Sequence, residues 1–318
     1  MSEESLRIEP EAHQSLFRDA LPIPRLDAEG DWDELSADGT PFILTGRTAG
    51  WRSRTWSFEH FRETYGAASI LTSRNARNSA VSYYWPPDCH RISTTCRDFV
   101  DAMLDHPEQE IYLWKRTIEQ FPGLNEDFSF EQIKPGRGTP TYTNIWLSTA
   151  GSRSGLHFDR HDNIFAQMVG QKSVLLLPPE EASRIYPFHD FIERSRIDPE
   201  YVDVHLFPKA LSARAYHGVV GEGELLFIPQ LWWHYLRALA PSISLNYWYG
   251  EPASLWRLAG MVRRAGVANV GRVSRDFLWH GLLRQRVPES NKPVPTGKDI
   301  YSWVSSGVRR RLAIRSPA

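Results

Sequence analysis

The 318-residue sequence predicts a mainly β protein, an antiparallel barrel or jelly roll with helical additions. Three observations carry this. Between about 138 and 250 the apolar runs are short and separated by turn residues: "TYTNIWLST", "LHFDRHD", "NIFAQMVGQKSVLLLPP", "GELLFIP", "HYLRAL" and "SISLNYWYG". One of them hinges at Val169-Gly170-Gln171, which reads as a hairpin. After Gly250 the apolar spacing becomes helical.

Residues 1–40 form an acidic N-terminal segment. "TPFILTG" (40–46) is an apolar strand closed by glycine. "SFEHFRETYG" (57–66) has the marks of a helix, with Ser57 as cap and a glycine stop. "CRDFVDAMLDH" (96–106) sets Phe99, Val100, Met103 and Leu104 at helical spacing, and "EIYLWKRT" (110–117) reads as a strand. The main domain is expected over 41–250, and a helical, basic extension over 251–318. There, 254–266 aligns Leu255, Leu258, Ala259 and Val262, and 269–285 aligns Val270, Val273, Phe277 and Leu278. Pro288, Pro293 and Pro295 then break the helix, and a basic segment, "GVRRRLAIR", ends the chain. These helices cover the barrel or pair with a second copy of the chain as a homodimer; the sequence leaves both open.

Hydrophobic residues make up 41% and charged residues 24%, a composition expected of a folded soluble protein. A net charge of −1 gives no bulk attraction to nucleic acid or membrane. The charge is uneven, however: Pro252 to Ala318 holds 13 basic against 3 acidic residues. The plain reading is a basic face that is solvated or docked on an acidic body; the sharper one is an anionic partner such as RNA or an acidic protein. Cys89 and Cys96 lack zinc-finger spacing and read as free thiols of a reducing compartment or as one disulfide. No apolar run reaches the ~18 residues a membrane span needs, and the acidic start lacks an apolar signal region, so a cytoplasmic protein is expected.

The chemistry centres on "SGLHFDRHDN" (154–163). In a strand, i and i+2 share a face, so His157 and Asp159 point one way and Phe158 and Arg160 the other. One nitrogen and one oxygen ligand then meet at one point. A third ligand from a distant strand completes a facial set with three open positions, the geometry of non-haem Fe(II) sites. His234, in "IPQLWWHYLRAL", is the candidate, with its two preceding tryptophans as walls. Lys172, leading the apolar "KSVLLLPP", either snorkels to water or awaits a carboxylate inside the barrel. Alternation also aligns Ser244, Asn246 and Trp248 on one face of "SISLNYWY". His161 reads as a wall residue on the substrate side rather than a ligand. His189, His205 and His217 fall in connecting segments and take no role.

Five blocks together, "PFILTG", "YLWKRT", "SGLHFDRHDNIFAQMVGQKSVLLLPP", "GEGELLFIPQLWWHYLRAL" and "SISLNYWY", resemble the Jumonji-C/cupin-like family of Fe(II)- and 2-oxoglutarate-dependent oxygenases. Within it they are most similar to the asparaginyl hydroxylase that inhibits hypoxia-inducible factor. The resemblance implies a double-stranded β-helix core, with His157, Asp159 and His234 as the iron ligands. It implies that Lys172 binds the distal carboxylate of 2-oxoglutarate, aided by Tyr112 and by Ser154, which stands where that hydroxylase has threonine. Asn163 and Asn246 match two amides of the cosubstrate and metal site, and Trp248 an aromatic near the substrate. Two positions depart from the pattern. Trp114 replaces a glutamine, and Glu193-Arg194-Ser195 replaces Arg-Gln-Ser in the segment that reads the target amide. These departures argue against the same asparagine target and leave iron and cosubstrate untouched.

The expected reaction uses Fe(II), 2-oxoglutarate and O2, yields succinate and CO2, and hydroxylates a C–H bond of a protein or peptide side chain. Alternatives are a small molecule or a modified RNA base as substrate, N-methyl demethylation, or a non-catalytic cupin-like binding module.

Overall fold

The computed structural model describes residues 13–27, 30–74, 90–109, 111–113, 118–134, 142–286 and 295–314. Trp114 and Cys89 lie outside the described residues, as does the side chain of Tyr112. The strands are β1 (His13–Gln14), β2 (Leu21–Pro22), β3 (Arg25–Asp27), β4 (Phe42–Thr45), β5 (Ser69–Arg74), β6 (His90–Thr95), β7 (Ile111–Leu113), β8 (Tyr142–Ser148), β9 (Arg153–Phe158), β10 (Asp162–Val169), β11 (Lys172–Leu177), β12 (Val202–Asp203), β13 (Tyr216–Val220), β14 (Leu225–Ile228), β15 (Trp233–Ala238) and β16 (Ser242–Tyr249). The helices are α1 (Trp32–Ser36), α2 (Phe58–Thr64), α3 (Cys96–Asp105), α4 (Leu255–Ala265), α5 (Val267–Asp276) and α6 (Thr296–Ile314).

Two sheets face each other. One contains the run β14-β10-β16-β8 and the other β13-β11-β15-β9. From β8 to β16 the barrel strands alternate between the sheets, except that β11 and β13 pair within the smaller one, the winding of a jelly roll. The first sheet extends through β4 and β3 at one edge and β7, β5 and β6 at the other.

Alternation sorts each strand's side chains. Phe165, Leu226 and Ile228 meet Val174, Leu176, Val220 and Leu236 between the sheets. On the outer face of the larger sheet, Ile164, Ala166, Leu245 and Tyr247 pack with Phe61 of α2 and Phe99, Val100 and Met103 of α3. On the outer face of the smaller sheet, Leu175, Leu177, Trp233 and Tyr235 pack with Leu258, Met261 and Val262 of α4. Both sheets are therefore covered on their outer faces, and polar side chains gather inside at one end.

The helix over 57–66 forms as expected, with the Ser57 hydroxyl accepting from the His60 N–H. Leu104 ends up 46% exposed, outside the core that takes Phe99, Val100 and Met103. Several expectations are corrected. "LHFDRHD" is not one strand: β9 stops at Phe158, and residues 159–161 are the connection to β10, because the Asp159 and Arg160 carbonyls accept from Leu231 and Ala253 instead of a ladder partner. His217 lies in β13, not in a connecting segment, where Lys172-to-Leu176 pairing holds it and its Nε2 meets the Ser173 hydroxyl at 3.0 Å. In the second C-terminal helix Val270 and Leu278 are exposed while Asn269, Val273 and Asp276 are buried, since the helix packs through its polar contacts and ends in a π-helical turn over Phe277–Leu282. The basic tail is helical, within α6, which starts directly after Pro295. Cys96 is a free, buried thiol, and burial pushes its pKa up to about 12. Among the described residues no helix is long and apolar enough to cross a membrane.

Candidate metal centre

His157 and His234 face each other across the β9–β15 ladder as direct partners. Their ring centroids are 4.1 Å apart. Asp159, just beyond the end of β9, brings its Oδ2 to 3.7 Å from His234 Nε2. One ligand atom from each of the three residues lies within 4.8 Å of the others. The strand-end break does not spoil the set: the Asp159 carbonyl accepts from Leu231 N–H at 2.8 Å, which ties the turn to the loop before β15.

The donor set fits a divalent metal. His157 Nδ1 is 2.6 Å from the Gly155 carbonyl and His234 Nδ1 is 3.0 Å from the Trp232 carbonyl. A carbonyl only accepts, so both Nδ1 atoms carry the proton and both Nε2 lone pairs remain available as ligands. Burial first, and then the neighbouring His234 and Arg194, hold the His157 imidazole well below its ordinary pKa. His234 is lowered chiefly by burial, against the pull of Asp159. Neutral imidazoles are the ligand form. The Trp248 indole N–H donates to Asp159 Oδ2 at 2.8 Å and so orients the carboxylate.

A cavity of about 130 Å³ opens beside these residues, lined by both sheets. Lys172, Ser154, Asn163, Asn246, Trp248 and Arg194 all border it. Lys172 does not snorkel: it is 8% exposed, and its ammonium donates to the Ser244 hydroxyl at 2.9 Å. Burial lowers its pKa to about 7. Among the described residues no carboxylate pairs with it. Asn246 Nδ2 donates to Asn163 Oδ1 at 3.0 Å, so the two amides satisfy one another across the β10–β16 ladder.

Ser154 reaches the cavity by a device that alternation does not predict. Leu156 and Phe158 face the outer core, so strict period two would turn Ser154 outward as well. The ladder pairs His157 with His234 but Ser154 with Leu236, so β9 holds one extra residue. That bulge, at Gly155–Leu156, re-aims Ser154 inward. Trp232 and Trp233 do not border the cavity: Trp233 packs edge-on against Phe158 in the outer core, and Trp232 against Tyr216. His161 is half-buried in the turn, edge-on to Tyr142 at 5.7 Å, and is not among the three grouped ligand atoms. Tyr142 in turn stacks on Trp248 at 4.9 Å.

Sequence reasoning missed three contributors: Trp146 of β8, Arg153 of β9 and the Ser244 contact to Lys172. The alternation of Asn144, Trp146 and Ser148 in "TNIWLS" could have flagged the first. Arg153 carried no local signal: it borders the cavity beside Ser154 while its guanidinium pairs with Asp198 at 3.2 Å.

Residues 28–254 match the family described as the cupin-like domain. The chain belongs to that family. This cupin-like chain is 29% identical to the lysine-specific demethylase JMJ30 of Arabidopsis thaliana over 236 residues, 72% of this chain and 54% of the relative. It is 29% identical to lysine-specific demethylase 8 of Xenopus tropicalis over 216 residues, 66% of this chain and 48% of the relative. With the tRNA wybutosine-synthesizing protein 5 of Danio rerio it shares 36% over 138 residues, 42% of this chain and 41% of the relative. The cupin-like chain spans about half the length of the curated relatives it matches.

Proposed function

We propose that the chain is an Fe(II)- and 2-oxoglutarate-dependent oxygenase that hydroxylates a C–H bond of a protein or peptide side chain. The observation that carries this is the convergence of His157, Asp159 and His234 beside the buried Lys172, which has no carboxylate partner among the described residues. Three protein ligands leave positions for a chelating cosubstrate, and a buried cation at the cavity wall suits an anionic one. With 2-oxoglutarate and O2, bound Fe(II) supplies the oxidation of the substrate C–H bond, with succinate and CO2 released.

The chain's own residues bind and orient. His157 and His234 offer Nε2, with each ring fixed by a backbone carbonyl. Asp159 would offer its carboxylate, oriented by the Trp248 N–H on Oδ2. Lys172 would fix the far carboxylate of 2-oxoglutarate, with the Ser154 hydroxyl and Tyr112 as added donors. Asn163 and Asn246 would border the cosubstrate. Arg194, Trp248 and His161 would lie on the substrate side, with Trp114 a further candidate there. No side chain is required as a general base.

The protein-side-chain reading follows the likeness to the asparaginyl hydroxylase, with a different target implied by Glu193-Arg194-Ser195. Demethylation belongs to the same chemistry, since hydroxylation of an N-methyl group releases formaldehyde; two relatives bear demethylase names. The second reading, hydroxylation of a modified RNA base, is favoured by the relative named for tRNA wybutosine synthesis and by the basic C-terminal segment. A cytoplasmic location fits the same reading, because Fe(II) persists in reducing compartments. Homodimerisation through the C-terminal helices draws support from exposed Leu278, Trp279, Leu282 and Leu283, and light scattering of the full chain tests it.

The deciding experiment supplies Fe(II), ascorbate and 2-oxoglutarate and measures succinate. Slow uncoupled turnover is expected, lost in His157→Ala and Asp159→Ala. Succinate formation untouched by both would refute the metal assignment, whereas no succinate from the unmodified protein would leave a binding module. Mass spectrometry of treated lysate fractions, scanning for added oxygen in peptides and in RNA and for formaldehyde release, separates the substrate classes.

A further inference from the structure

The segment that carries Arg194 is not an ordinary loop. Phe158 N–H donates to the Glu193 carbonyl at 3.0 Å, Ser195 N–H to the Leu156 carbonyl at 2.9 Å, and His157 bridges Arg194. Residues 193–195 thus close the free edge of β9, the strand bearing His157, and deliver Arg194 to the cavity. Their other side is held by α6. Thr296, fully buried, accepts from Ile192 N–H at 3.1 Å and donates to Glu193 Oε2 at 2.8 Å, while its own N–H donates to the Asp190 carbonyl at 2.9 Å.

The same turn of α6 reaches the other side of the metal set. Arg160, next to Asp159, donates to Glu193 Oε1 at 3.2 Å and to Asp299 Oδ2 at 2.5 Å. One guanidinium therefore joins the Asp159 turn, the Arg194 segment and α6. The helix is seated tightly enough to serve as an anchor. A Cβ on Gly297 would come within 2.2 Å of the Val273 carbonyl oxygen, and one on Gly281 within 2.5 Å of the Tyr301 ring. Only glycine permits these approaches.

We infer that the first turn of α6 is a positioning device for the metal site: Thr296 and Asp299 hold Glu193 and Arg160, and through them both Arg194 and the turn that carries Asp159. The inference rests on the reading of His157, Asp159 and His234 as a metal set. Thr296, Glu193, Arg160 and Asp299 touch none of the reacting atoms; they set the geometry of residues that border them. The C-terminal helical extension thereby belongs to the site, not only to the outer core.

Hydrogen–deuterium exchange of the full, metal-free chain tests this directly. Thr296→Val removes the hydroxyl donor and acceptor at similar volume. Faster exchange is expected in segments 188–197 and 157–161, with β10 and β16 unchanged, and Thr296→Ser is expected to restore the parent pattern. Asp299→Asn, at a half-exposed position, is expected to quicken 157–161 alone, and it decides the matter if Thr296→Val does not fold. Titration with Co(II) is expected to show affinity reduced roughly three- to tenfold in Thr296→Val. Quickened exchange confined to α6, with both site segments unchanged, would overturn the inference. Absence of Co(II) binding in the unmodified protein would instead sink the metal reading, while the exchange result still judges the anchor.

Discussion

The ammonium of Lys172 and the hydroxyl of Ser244 meet at 2.9 Å across the two sheets of the barrel. A buried cation with only a neutral partner among the described residues is costly in the free protein. The arrangement makes sense as a receptor for an anion that restores the missing charge. Replacing Lys172 by Met should lower 2-oxoglutarate affinity about ten- to a hundredfold, the worth of a charge-assisted hydrogen bond. Metal affinity should be retained. Calorimetric titration of the Co(II)-loaded protein reads both, and an unchanged 2-oxoglutarate affinity would remove Lys172 from its assigned role.

The same burial has a pH signature. The Lys172 pKa is lowered from 10.5 to about 7, so the free site holds an ammonium below pH 7 and loses it above. An anionic cosubstrate needs the charged form. Its affinity should be level below pH 7 and weaken by up to about tenfold per pH unit above it. For folding, the lowered pKa means that the unfolded chain binds more protons between about 7 and 10.5. The burial penalty is therefore greatest below pH 7 and fades as pH rises to 10.5. Lys172→Met should raise the Tm most at pH 6 to 7 and hardly at all near 10.5, as thermal denaturation across that range will show.

Trp248 donates to Asp159 Oδ2, the oxygen nearest His234, and stacks on Tyr142. Trp248→Phe keeps an aromatic and deletes the N–H donor. Co(II) affinity should fall by about tenfold, in the range found for partners of metal ligands. Tyr142→Ala deletes the stack and keeps the donor, so it should leave metal affinity nearly unchanged. Equal losses in the two variants would mean that packing, not the hydrogen bond, orients the carboxylate.

Leu176 lies between the sheets and is fully buried. Leu176→Ala should destabilise the chain by about 2–5 kcal/mol through lost burial and a residual cavity. Chemical denaturation measures this. A loss below ~1 kcal/mol would mean that the inter-sheet core collapses around the gap.

Much of the site was legible because its residues obey period two. Asn163 and Phe165, Lys172 and Val174, Ser244, Asn246 and Trp248 all point inward as the pattern of each strand requires. The candidate ligand pair His157 and Asp159 was legible for a reason that holds only in part, since Asp159 lies past the end of its strand and is placed by turn contacts. Ser154 was reached by resemblance alone, because the bulge that turns it inward has no signature in "SRSGLHF" beyond one glycine. The role of α6 was illegible. Its first turn meets residues 160 and 193 only after the chain has crossed the whole barrel, and no local spacing encodes that meeting.

The amino-acid sequence by itself determined the mainly β class, the side chains that share each strand's inner face and the identity of the three candidate ligands. Alternation is a property of the backbone and needs no partner to be read. Only the tertiary structure decided that His157 and His234 stand opposite one another, that Trp248 grips Asp159, and that α6 closes on Glu193 and Arg160. Those relations depend on ladder register, on one inserted residue and on how closely two helices approach, and each is set by packing between segments far apart in the chain.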